Sequence, residues 1–138
     1  MIAQTTRRAL ALPDARRVIL IGQSFGADML QYGIRGMPSD LRSRIVQVIL
    51  AVPGETLLFK ATPGGFLDGA PDLPALPSAR AIDWLPVTCI HGLKEENSLC
   101  LLLHGRNVRV VALPGDHYLR HDASALAGAI WRAIRRGS

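Results

Sequence analysis

The sequence predicts an α/β protein, a mainly parallel sheet of about four strands flanked by helices. Three observations predict it. Aliphatic runs recur along the chain: VILI at residues 18 to 21, IVQVIL at 45 to 50, VTCI at 87 to 90 and VRVVAL at 108 to 113. Runs that do not alternate with polar residues mark strands covered on both faces, the habit of parallel sheets. Segments at helical spacing flank them, and the succession strand, helix, strand over residues 18 to 50 gives a right-handed crossover unit. At 138 residues the chain reads as one domain, residues 1 to 138, long enough to bury a sizeable core.

Taken in order, residues 2 to 11 are rich in Ala, Leu and Arg and predict a helix closed by Pro13. The run at 18 to 21 predicts a central strand. A helix from about Phe25 to Tyr32 follows, with Gly33 and Gly36 at its end and Pro38 beyond. Ser39 and Asp40 predict a short polar turn, and residues 45 to 50 a second buried strand. From Pro53 to Pro86 the periodicity fades into a stretch rich in proline and glycine, including Pro63-Gly64-Gly65. A connection of that length is usually functional, and it is expected to cap an active site. Residues 86 to 92 predict the third strand and 108 to 113 the fourth. The last segment places Leu126, Ala127, Ile130, Trp131 and Ile134 at helical spacing, with Asp122 or Ser124 as cap and Arg132, Arg135 and Arg136 suited to the C-terminal dipole.

Composition narrows the function. The net charge of +5 is carried almost wholly by arginines scattered singly and in pairs, with few aromatics between them, so a nucleic-acid groove is not expected. A solvated arginine-rich face is the plain reading, and peripheral attraction to an anionic lipid surface is the alternative. No apolar run approaches the roughly 18 to 20 residues of a membrane span, and the first residues lack the apolar block of a signal peptide, which gives a cytoplasmic expectation for these residues taken alone. No metal-ligand spacing is present, and neither metal nor cofactor is expected. Cys89 and Cys100 are too far apart for a redox or zinc CxxC motif. Spacing leaves both a mutual disulfide and two buried thiols open.

Gly22-Gln23-Ser24-Phe25-Gly26 has the GxSxG form of a nucleophile elbow. A buried strand ends, small residues at 22 and 26 permit a sharp turn, and a serine is raised at the start of a helix. The free N–H groups there suit an oxyanion, with Phe25 N–H as one donor. In enzymes of this type the order is serine, acid, histidine, each after a strand. Ser24 follows the first strand, Glu95 and Glu96 the third, and His117 the fourth, within Pro-Gly-Asp-His. These supply a hydroxyl to attack, an imidazole to take its proton and a carboxylate to hold the ring. Glu95 is the first choice of acid and Glu96 the alternative; Asp116 and Asp122 are weaker because the acid normally precedes the histidine by a strand. His121 suits a capping or surface role, and His91 and His104 structural ones. Asp28, one turn beyond Ser24, is expected to compensate the helix dipole. The expected fold is therefore a partial α/β-hydrolase, and the expected activity that of a serine ester hydrolase.

The string Ile21-Gly22-Gln23-Ser24-Phe25-Gly26-Ala27-Asp28 resembles the SFGAD elbow of the VirJ bacterial virulence family, which includes the C-terminal part of the AcvB proteins. Met37-Pro38, residues 41 to 44 and 46 to 50, VTCIHGLKEENSLC at 87 to 100, and 113 to 117 resemble further segments, so the likeness spans nearly the whole chain. It implies an α/β-hydrolase with a serine active site, exported to the periplasm and linked to virulence and envelope homeostasis. It also implies hydrolysis of an aminoacyl-lipid ester, lysyl-phosphatidylglycerol, and, from the matched cysteines, a Cys89–Cys100 disulfide. A competing reading is a non-catalytic envelope protein that keeps the scaffold. Gln23 stands where an aromatic is frequent in the family, and Tyr118 where many relatives carry a second histidine. The resemblance further implies strands before the elbow strand, one loop of which gives the second oxyanion donor. This sequence starts at the preceding helix, so the expectation is a chain truncated at its N-terminus, with no visible second donor and an exposed sheet edge able to pair with another chain.

Overall fold

The computed structural model describes residues 1 to 57 and 73 to 137. The element order is α1 (Ile2–Leu10), β1 (Val18–Gln23), α2 (Phe25–Gly33), a 3-10 turn (Ile34–Gly36), α3 (Ser39–Arg42), β2 (Ile45–Ala51), β3 (Thr56–Leu57), β4 (Leu73–Pro74), α4 (Leu76–Arg80), β5 (Val87–Gly92), α5 (Leu99–Leu102), β6 (Val108–Leu113), a turn (Leu119–His121) and α6 (Ala123–Arg136). The four long strands form a parallel sheet in the order β1-β2-β5-β6. β3 and β4 pair antiparallel in a ribbon of two.

The aliphatic runs become the strands because a parallel sheet between helices buries both faces. Valine, isoleucine and leucine then contribute on either side of the pleat. Ile45, Val48 and Leu50 join the cluster under α2 and α4, together with Ile34, Leu41, Ile82 and Leu99. Ile49 and Ile90 point the other way, into a second cluster with Leu113, Ala129 and Ala133 against α6. Asp122 caps α6, its Oδ1 accepting from Ala125 N–H at 2.9 Å. Unhelped by packing, that cap contributes about 1 kcal/mol.

One expectation is corrected. The run at 18 to 21 is apolar enough to read as a central strand, yet β1 is an edge strand with a single neighbour among the described residues, and Ile21 is 47% exposed. An uninterrupted apolar run has the same appearance in both places, so the run alone does not separate them, whereas an exposed sheet edge is what the family resemblance implies. The polar turn at Ser39 is one turn of helix, α3. Most of the proline-rich connection, and with it the expected cap, lies outside the described residues; its described flanks are β3, β4 and α4.

β5 is buried along its whole length, and Cys89 within it bonds to Cys100 in α5, with a Cα–Cα separation of 5.5 Å. The disulfide closes the loop of residues 90 to 99 at its base. That loop carries Glu95.

Candidate active site

All three candidate triad residues stand at the C-terminal ends of strands, Ser24 after β1, Glu95 after β5 and His117 after β6. Parallel pairing makes this gathering automatic, since strands that start together also end together. At the elbow Ser24 holds φ 51°, ψ −124°, in the left-handed half of the map where a non-glycine residue is strained. The turn is made tight by Gly22: a Cβ there would lie 2.5 Å from Gly26 O and 2.7 Å from Ala27 Cα. Gly26, expected to serve the same purpose, faces open space. The close approach of strand to helix therefore falls on position 22 alone.

Ser24 Oγ lies 3.0 Å from His117 Nε2, and His117 Nδ1 lies 3.0 Å from Glu95 Oε1. An ionised carboxylate can only accept, so Nδ1 carries the proton and donates to Glu95, leaving Nε2 free to accept from the serine hydroxyl. Glu95 is itself anchored, its Oε2 accepting from Gly92 N–H at 2.8 Å. The Glu95 side chain is 8% exposed and that of His117 42%, so the acid is enclosed and the base open towards a ligand. A Cβ on Gly92 would overlap the backbone oxygens of Gly115 and Asp116. This glycine lets the acid loop press against the histidine loop. Glu96, the alternative acid, is exposed and makes no hydrogen bond or ion pair with His117 among the described residues.

After His117 the chain makes a left-handed turn, with Leu119, Arg120 and His121 at φ 51°, 56° and 55°. Each such residue costs about 1 to 2 kcal/mol, so packing and the chain's geometry hold the turn. Buried Leu119 anchors it in the α6 cluster, and His121 stacks on Tyr118 with ring centroids 5.6 Å apart. Val52, also at positive φ (47°), closes the end of β2, its N–H donating to Ile90 O at 2.7 Å.

Between this turn, Ser24 and α6 lies a cavity of about 490 Å³ with a largely apolar wall: Val52, Leu119, Leu126, Ala127 and Ile130. Gln23 and Tyr118 also line it. The cavity wall supplied by α6 is not evident in the sequence, because a stripe at i, i+3, i+4 serves a core and a cavity equally. His91 is buried and pairs through Nδ1 with Gly92 O at 2.8 Å, while His104 is exposed.

Asp28 does more than face the dipole. Its Oδ1 accepts from Gly54 N–H at 2.9 Å, tying α2 to the loop after β2. Burial pushes its pKa up, against the smaller downward pulls of that hydrogen bond and of the nearby His117. Among the described residues no group of three or more His, Cys, Asp or Glu is arranged to hold a metal, and no helix is long and apolar enough to cross a membrane.

Residues 2–138 match the family described as Bacterial virulence protein (VirJ). The chain belongs to the VirJ family. A comparison with curated protein sequences gives no match. Among solved structures, the crystal structure of a methylesterase protein MES16 from Arabidopsis is similar with a TM-score of 0.56 at 15% identity, over 95% of this chain and 75% of that one. That likeness is one of fold, and it makes this VirJ chain an α/β-hydrolase scaffold. Membership of a bacterial virulence family and the Cys89–Cys100 disulfide are compatible with a periplasmic or secreted location.

Proposed function

We propose that this VirJ chain is a serine hydrolase that cleaves a carboxylic ester through Ser24, His117 and Glu95. The observation that carries the reading is the unbroken hydrogen-bonded series from Ser24 Oγ through both ring nitrogens of His117 to Glu95. Ser24 Oγ attacks the acyl carbon while His117 Nε2 takes its proton. Glu95 fixes the ring and stabilises the imidazolium. The tetrahedral oxyanion meets Phe25 N–H, which opens α2 and has no intrahelical acceptor. As the intermediate collapses, His117 returns the proton to the leaving alcohol; water then enters with the same histidine as base and releases the acid from Ser24.

The apolar cavity beside Ser24 suits a hydrophobic ester and has the volume of a small-molecule site. Family membership favours an aminoacyl lipid, lysyl-phosphatidylglycerol, met in the periplasm. Asp28 adds a negative charge to the surroundings of the site, and it makes no ion pair among the described residues, which suits an acyl group bearing ammonium.

The test is covalent labelling by a fluorophosphonate together with turnover of short acyl esters and of lysyl-phosphatidylglycerol. Wild type should label and Ser24→Ala should not. Labelling that survives Ser24→Ala, or a Ser24→Ala variant that retains the full cellular role, would favour the reading of a non-catalytic envelope protein.

A further inference from the structure

At the opposite end of the sheet, where β2, β5 and β6 begin, a second cavity of about 260 Å³ opens beyond the C-terminus of α6. Arg106, Arg109 and Arg136 all line it, with Gln47, Thr88 and Gly137. They come from four separate parts of the chain. Thr88 and Arg109 are register partners on β5 and β6 and so share a face, the one α6 covers. Arg106 stands in the turn before β6, and Arg136 is the last residue of α6.

Its three arginines are exposed and, like the other arginines except Arg7, make no ion pair among the described residues. What sets this cavity apart from a solvated basic surface is Gln47, 3% exposed, whose Oε1 has no hydrogen-bond partner while its Nε2 donates to Thr88 Oγ1 at 3.0 Å. A buried polar atom left unpaired is unfavourable. Either end of an amide can pair with a hydroxyl, since a hydroxyl both donates and accepts. With the amide turned over, Thr88 donates to Oε1 and the Nε2–H group is offered to the cavity.

We propose that this cavity is a binding site for a phosphate group. Arginine forks match phosphate oxygens two at a time, and the turned amide supplies a neutral donor from the cavity wall. The negative end of the α6 dipole lies close by and opposes an anion, so the arginines must carry the affinity and salt must weaken it. The same chemistry fits free phosphate or the phosphodiester of a lipid headgroup. The site lies on the order of 15 Å from Ser24, the length of the strands between, and does not depend on the ester hydrolase reading.

The experiment titrates the full chain with inorganic phosphate by calorimetry at low salt and, in parallel, sediments it with phosphatidylglycerol vesicles against neutral phosphatidylcholine ones. Saturable phosphate binding that weakens roughly tenfold in Arg109→Ala and again in Arg106→Ala supports the site with a free phosphate. Arginine-dependent sedimentation with phosphatidylglycerol alone supports it with a headgroup. Gln47→Leu keeps the volume and removes the donor, so it should weaken binding in either arm; Ser24→Ala should leave both arms unchanged. If neither ligand binds, or if binding is indifferent to the arginines and to Gln47, the proposal is overturned.

Discussion

At the C-terminal ends of the strands the polar side chains are paired with one another, Ser24 to His117 to Glu95 to Gly92 N–H. At the N-terminal ends Arg106, Arg109 and Arg136 gather with no ion pair among the described residues, around Gln47, whose Oε1 is unsatisfied. One sheet thus has an end that is internally complete and an end that lacks a counterpart. A relay whose members hold each other fails as a unit when one is removed, whereas independent donors to a common ligand fail by increments.

The largest expected effect is at the complete end. Ser24→Ala should lower ester turnover by roughly 10⁶, measured as kcat on a short acyl ester, with unfolding midpoints near those of wild type because the serine is only half-buried. Glu95→Gln should cost roughly 10⁴, since an amide cannot keep the imidazole in the required tautomer. Glu96→Gln should leave kcat within about a factor of two, as its exposed position predicts. Equal losses at both glutamates would break the assignment of Glu95 and the idea of a relay with it.

The elbow is legible in the sequence because its five residues are contiguous, and the meeting of Ser24, Glu95 and His117 because parallel strands put their C-terminal loops together. Glu95 could be ranked above Glu96 by offset alone, yet only the fold shows its second oxygen tied to Gly92. The open space at Gly26 and the cavity wall from α6 are not legible, because each depends on what lies across space, and the exposed edge at β1 is expected only from the family resemblance and not from its own apolar run. The same holds for the arginine cavity. Positions 47, 88, 106, 109 and 136 have no shared spacing, and an arginine facing solvent has the same appearance in sequence as one facing a pocket.

The disulfide sharpens the comparison at intermediate size. Cys89–Cys100 is buried and spans the loop that presents Glu95, and among the described residues no disulfide braces the arginine end. In the chain-entropy account a bridge over this separation contributes about 3 kcal/mol. Cys89→Ala with Cys100→Ala should reduce the urea unfolding free energy by that order. Activity should fall further than phosphate binding at temperatures where both variants remain folded, because the loosened loop belongs to one end only. Equal loss at both ends would mean that the bridge stabilises the whole sheet and not the acid loop.

The smallest effect concerns Asp28, a half-buried carboxylate near the complete end that makes no ion pair among the described residues. Asp28 has its pKa raised by burial, so its charged form is worse off folded than unfolded. The sign follows: the contribution to stability is most favourable below the unfolded pKa, and it is lost as pH rises through the folded one. At neutral pH the ionised carboxylate is therefore a slight burden. Asp28→Asn removes the charge while its side-chain oxygen can still accept from Gly54 N–H. The variant should be more stable than wild type at pH 7 by about half a kcal/mol or less, with the gain shrinking as pH falls towards the carboxylate range. Urea midpoints at the two pH values measure it. A variant that loses stability at pH 7 would mean that the negative charge on the Gly54 hydrogen bond outweighs desolvation, and a variant that gains stability while KM rises only for esters bearing ammonium would separate a structural burden from a recognition role at the same atom.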